Sequence, residues 1–295
     1  MDLFIELKPS RIENGFHDEF LEARSDKGKR ARSQLATYAA AQMATQFRTH
    51  LFSVLICGPL ACFIRWDRAG AIYTKSFDYV ENPRLLALFY NYACHSSDKR
   101  GFDPTVSVVP DHTPLSENNI RHLISLDTNR DPTSPLSSKD DLSLLVLEVP
   151  TRDEGGQSKK VVVLRPKYSV QSPFGRATRG MPGVDLESKR HVFVKDYWRP
   201  DVEGVEKEGE TYRKLGQHNV RHIATFYCGN DIHSQAAITQ SYGDEADSPQ
   251  ALEKFQHYRM ALLDVGRPLT MFKSTREMIN AIADAMEGKA EVSLP

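Results

Sequence analysis

The chain has 295 residues, enough for two compact domains. Hydrophobic residues make up 40% and charged residues 26%, which excludes a disordered or low-complexity chain. Lys and Arg number 38 against 39 Asp and Glu, so net charge directs the chain to neither nucleic acid nor a membrane surface.

From the amino end, Asp2–Leu7 reads as a strand with no basic-then-apolar leader before it, and residues 10–30 as an irregular connection. Ser33 is placed to N-cap an alanine-rich helix running to about His50. Leu51–Cys57 and Leu60–Trp66 form two strands joined at Gly58-Pro59, and the turn Asp67–Gly70 leads into a strand at Ala71–Thr74. These apolar runs are too short and broken to span a bilayer. An intracellular protein, of cytoplasm or nucleus, is expected. Leu85–Cys94 closes the first unit, residues 1–95, as an aromatic-rich helix. The order strand, helix, three strands, helix makes this unit mixed α/β. Cys57, Cys62, Cys94 and Cys228 lack zinc-site spacing and read as small core residues of a reducing compartment.

Residues 96–141 are rich in Ser, Thr, Pro, Asn and Asp, apart from an apolar patch at Ile120–Leu126. They predict a polar insert or linker. The third zone, 142–295, opens with strands at Leu144–Val149 and Val161–Leu164 around a turn at Asp153–Gly156. A strand at His191–Lys195 follows, then a helix over Pro200–Leu215 stopped by Gly216. Strands at Ile223–Cys228 and Tyr258–Leu263 flank a polar insert at Ser241–Pro249, and a helix over Ser274–Met286 ends the pattern. The fold class is α/β in the broad sense (α+β), with a mainly antiparallel sheet in the third zone.

The chemistry concentrates between Gly175 and Glu208. Phe174–Gly180 has the shape of a glycine-rich loop, with Gly175 and Gly180 at its ends and Ala177 in the middle glycine's place. Such a loop lets backbone N–H groups approach phosphates. The strand Val192–Lys195 ends in a lysine able to neutralise phosphate oxygens. In the next helix, Val205, Tyr212 and Leu215 define an apolar stripe, and Glu208 projects from it. A carboxylate on an apolar face needs a partner, and Lys195 is the obvious cation. Glu206 and Glu210 point away and are solvated.

Val194–Pro200 together with Glu208–Leu215 resembles the amino lobe of fungal-type protein kinases, and Leu262–Leu269 is similar to their hinge. Arg48–Ile56 and Arg65–Gly70 resemble the segment that precedes the kinase domain in that family. The resemblance implies an ATP site, with magnesium, built from Gly175, Ala177, Gly180, Lys195 and Glu208. Adenine would bond to the backbone near Leu263 and Val265, with Gly266 opening the pocket mouth. Two departures stand out. The sequence contains neither a His-Arg-Asp nor an Asp-Phe-Gly segment, so it is expected to bind ATP weakly and not to transfer phosphate alone. Phe193 shares a face with Lys195 where kinases keep a small residue, and it either stacks on a nucleotide or fills its space. An apolar face on the last helix (Met278, Ile279, Ile282, Met286) would then be open to a protein partner.

A second signature lies near the amino end. Glu6-Leu7-Lys8 on a strand, followed by Gln34 and Tyr38 one turn apart on a helix, resembles the core of the restriction-endonuclease-like fold. That resemblance implies a metal-holding Glu6 and a Lys8 assisting the attacking water. Asp2 is the only acidic residue before Glu6, with no room for the hairpin that carries a further carboxylate, so an inactive remnant is expected.

Overall fold

The computed structural model describes residues 2–16, 23, 25–110, 113, 115–126, 143–151, 157–165, 172–242 and 253–292. The turn expected at Asp153–Gly156 and most of the insert expected at Ser241–Pro249 lie outside them.

The first sheet contains β1 (Phe4–Lys8), β2 (Leu51–Cys57), β3 (Leu60–Asp67) and β4 (Gly70–Tyr73) in that order, with the short β5 (Phe77–Asp78) also on β3. β1 and β2 run parallel, joined by the crossover helix α1 (Asp26–Thr45), and β2 and β3 form an antiparallel hairpin. Strand alternation sends Phe4, Leu51, Leu55, Ile64 and Trp66 to one face, where Leu35, Ala39 and Met43 of α1 cover them. The four-residue spacing of those helix positions is what makes α1 amphipathic. α2 (Arg84–Cys94) lies on the other face, with Tyr92 edge-on to Phe52 at 6.0 Å between ring centroids.

α1 starts seven residues earlier than the expected cap at Ser33. Ser25 is its N-cap, its Oγ accepting from Gly28 N at 2.9 Å, and the helix ends at Thr45 before reaching His50. Gly28, a poor helix former, is tolerated because a Cβ there would lie 2.6 Å from the Asn14 carbonyl oxygen. The close contact of backbones favours glycine over propensity. Cys57, Cys62 and Cys228 are buried as expected, whereas Cys94 is exposed at the end of α2.

The second sheet has seven strands, all antiparallel to their neighbours, in the order β11-β12-β10-β9-β8-β7-β6. These are β6 (Val106–Val108), β7 (Leu144–Pro150), β8 (Ser158–Leu164), β9 (Arg179–Asp185), β10 (His191–Pro200), β11 (Phe226–Ala236) and β12 (Phe255–Leu262). The stretch read as a polar insert supplies β6 and α3 (Glu117–Leu126), whose Leu123 and Ile124 are buried against Leu164 and Val184. The sheet curls so strongly that β7 packs across its interior onto β11 and β12. Leu145, Leu147, Val149, Val161, Val163, Val192 and Val194 fill that interior. No helix among the described residues is long and apolar enough to cross a membrane.

The helix expected over Pro200–Leu215 is shorter. β10 continues to Pro200, paired with Phe255, and the chain reverses at Gly204 with φ 81° before α4 (Glu208–Gln217) begins. Val205 precedes the helix and is exposed, so the stripe drawn through it does not form. α5 (Thr275–Val292) closes the described chain.

Candidate functional site

Alternation along β10 divides its side chains between two faces. Phe193, Lys195 and Tyr197 point outward, in register with Leu262, Met260 and Tyr258 of β12, and α4 covers this face. Gly209 allows the cover. Its N–H donates to the Tyr258 hydroxyl at 3.0 Å, and a Cβ on it would lie 2.4 Å from that oxygen. Glu208, the first residue of α4, is thereby set over the strand. Lys195 Nζ donates to both of its carboxylate oxygens, at 2.6 and 2.7 Å. The side chains are 27% and 24% exposed, so the pair is formed but reachable from solvent. A carboxylate in the first turn is also favoured by the helix dipole. Burial and the Glu208 carboxylate together push the Tyr197 phenol up, and the same two causes raise Tyr212.

The glycine-rich segment is held from two sides. Gly175 N donates to the Arg68 carbonyl at 2.9 Å, and Arg68 Nη1 donates to the Pro173 carbonyl at 2.9 Å. Phe174 stacks on Trp66 with ring centroids 6.1 Å apart, and Trp198 N donates to the Arg176 carbonyl at 2.8 Å. Gly175 and Ala177 both adopt left-handed backbone, with φ 83° and 43°. Alanine at such a φ is disfavoured by about 1 kcal/mol, so the surrounding contacts impose the turn. Gly180 stands inside β9 opposite Lys195, where its missing side chain admits the Phe193 ring. A Cβ at Gly180 would lie 2.5 Å from Phe193 Cζ. Phe193 therefore packs beneath β9 and joins Leu262 and Phe226 in an apolar cluster.

At the far end of β12, Leu263 N donates to the Thr225 carbonyl at 2.9 Å and Asp264 Oδ2 accepts from Thr225 N at 2.6 Å. The Leu263 N–H is thus committed within the fold, and Val265 follows half-buried. Gly266 has open space where a Cβ would stand. Beyond it, Ile279, Ile282 and Met286 of α5 are exposed, while Met278 is half-buried.

The inner face of β10 carries groups that the strand patterns did not flag. Asp196 accepts from Arg259 Nε and lies against His257 Nε2, both at 2.8 Å, with Arg179 Nη1 3.6 Å away. Arg259 Nη2 also donates to Asp103 Oδ2 at 2.9 Å, and Gln235 Nε2 to Asp103 Oδ1 at 2.7 Å. The network reaches the first unit through Arg179, which bonds the Met43 carbonyl of α1; separately, Asp67 of β3 accepts from the Ile238 and Thr239 backbone N–H groups. Burial alone would raise the Asp196 carboxyl, but Arg259, His257 and Arg179 outweigh it and hold it far below the usual range. Asp103 is lowered in the same way, with Arg259 and His257 overcoming its burial. Burial and the nearby Arg179 push Arg68 down to about 9. The available signal was a charged residue at an inward position of an otherwise apolar strand.

In the first sheet, Glu6 and Lys8 share the α1-facing side of β1. Lys8 Nζ is 2.7 Å from Glu6 Oε1 and donates to Gln34 Oε1 at 2.9 Å, while Gln34 Nε2 donates to the Tyr38 hydroxyl at 2.5 Å. All four residues singled out there are joined in one chain of contacts. Lys8 is raised, chiefly by its hydrogen bond to Glu6.

A family model described as "Fungal protein kinase" matches residues 15–244 of the chain. No curated protein and no solved structure matches.

Proposed function

The chain belongs to the fungal protein kinase family, and on that premise we propose that its second sheet with α4 is an ATP-binding lobe. The observation that carries the reading is the two-point bond from Lys195 to Glu208 on the outer face of β10. Protein kinases use a strand lysine paired with a helix glutamate to hold ATP phosphates. The order β8-β9-β10-β12-β11, with α4 between β10 and β11, supports the same reading. Adenine would reach the chain at the Leu263 carbonyl and the Val265 backbone. Phe193 narrows the space beneath β9, which favours weak binding.

These residues do not supply phosphoryl transfer by themselves. The sequence has no His-Arg-Asp base and no Asp-Phe-Gly metal segment, and Glu208 is committed to Lys195. Magnesium would enter with the ATP phosphates. Calorimetric titration with ATP tests the reading: the wild type binds and Lys195→Met does not. Absence of binding by the wild type removes the proposal.

One observation favours a second reading for the first unit, as a remnant of a metal-dependent nuclease. Glu6, Lys8, Gln34 and Tyr38 converge between β1 and α1. Glu6 is bonded to Lys8, and a two-metal site needs further carboxylates. The remnant is expected to leave DNA uncut in manganese or magnesium, and manganese-dependent cleavage lost in Glu6→Gln would show a working nuclease instead.

A further inference from the structure

We propose that Arg176 is a second phosphate-binding cation of the nucleotide site, acting beside Lys195; this rests on the ATP-binding reading above. The argument begins with charge. Lys195 is bonded to both oxygens of Glu208, so the pair is close to neutral as a unit. A polyphosphate carries several negative charges and would meet the Glu208 carboxylate along with the lysine. A further cation within reach, beside the magnesium that accompanies ATP, would strengthen the attraction.

Three other basic side chains near this face are engaged. Arg199 is bonded to Asp231, Lys207 is bonded to Asp231 and Asn230, and Arg213 is paired with Glu210. Arg176 is different. It is exposed, and among the described residues it makes no ion pair. Its guanidinium carbon lies 5.0 Å from the centroid of the Tyr197 ring, and Lys195 Nζ lies 5.1 Å from the same centroid. The two cations thus flank one aromatic ring. Both contacts are of cation–π type, which positions a charge without neutralising it.

The backbone of Arg176 is fixed as well. Its carbonyl accepts from Trp198 N, and Gly175 N before it is tied to Arg68. Left-handed backbone at Gly175 and Ala177 brackets the residue. Arg68 and Trp66 belong to the first unit, so that unit presents the arginine to the nucleotide site. The planar fork of arginine suits two phosphate oxygens at once, which the compact ammonium of lysine does not.

The test compares ATP, ADP and adenosine in calorimetric titrations of the full chain at one fixed magnesium concentration. The proteins are wild type, Arg176→Ala and Arg176→Lys, with thermal unfolding of each recorded. Arg176→Ala is expected to weaken ATP and ADP roughly tenfold or more. Adenosine binding and the unfolding temperature should stay unchanged, and Arg176→Lys should fall between. Unchanged ATP affinity in Arg176→Ala, with Lys195→Met still abolishing binding, overturns this inference and leaves the ATP-binding reading intact. An equal loss for adenosine also overturns it, since that marks a purely structural role. A wild type that binds none of the three ligands overturns both.

Discussion

Lys195 and Asp196 are neighbours in one strand, yet they face opposite surroundings. Lys195 meets Glu208 on the outer face at about a quarter exposure, while Asp196 lies on the inner face among Arg259, His257 and Arg179 at 2% exposure. Each side chain is paired with opposite charge, but the consequences differ. A partly exposed pair is screened by water and contributes about 1 kcal/mol or less, whereas removing one member of a buried set leaves an uncompensated charge in a low-dielectric interior. The inner face ties the second sheet to α1 of the first unit through Arg179, while the outer pair stays within reach of solvent. A ligand site needs the second condition.

The largest expected effect is on the inner face. Asp196→Ala should destabilise the protein by roughly 3–5 kcal/mol, read as a fall in the denaturant midpoint, and a neutral result would place the network outside the folding unit. Gly209→Ala comes next, because its Cβ would press on the Tyr258 hydroxyl and lift α4 from the sheet. A loss of about 1–3 kcal/mol is expected by chemical unfolding, together with weaker ATP binding. If stability falls and ATP affinity does not, α4 is not part of the nucleotide site.

The pH dependence follows from the depressed carboxyls Asp196 and Asp103. Both contribute stability that is fully present above the unfolded-state carboxylate range near about pH 4. That contribution is lost as pH falls through their lower folded-state values. Urea midpoints should therefore be insensitive to these groups at neutral pH and drop below about pH 4, with a shallower drop in Asp196→Asn. The smallest stability effect belongs to Lys195→Met, which should move unfolding by less than about 1 kcal/mol while removing ATP binding. A large destabilisation by that substitution would erase the contrast between the two faces.

The sequence made the outer face legible because its chemistry is local. Lys195 closes an apolar run within β10 and Glu208 opens the next helix, so a short span carries both partners, even though the helix begins later than its pattern suggested. β2 and β3 were equally clear from their uninterrupted apolar runs and the Gly58-Pro59 break. The inner network was not legible because Asp103, Arg179, Asp196 and Arg259 come from distant parts of the chain, and each alone reads as a surface charge. α3 was masked by the polar segments around it, although Leu123 and Ile124 were visible as an apolar patch. β9 was obscured by its own glycines, Gly180 and Gly183, which serve close packing against Phe193 and Val161. Arg176 also required the structure, since only the fold brings the Tyr197 ring beside it.

The most direct measurement is the rate at which an acylating reagent modifies Lys195, followed by peptide mass spectrometry with and without ATP. ATP at saturating concentration is predicted to protect Lys195 while leaving exposed lysines such as Lys214 unchanged. Equal modification of Lys195 in the presence and absence of ATP would contradict the nucleotide site.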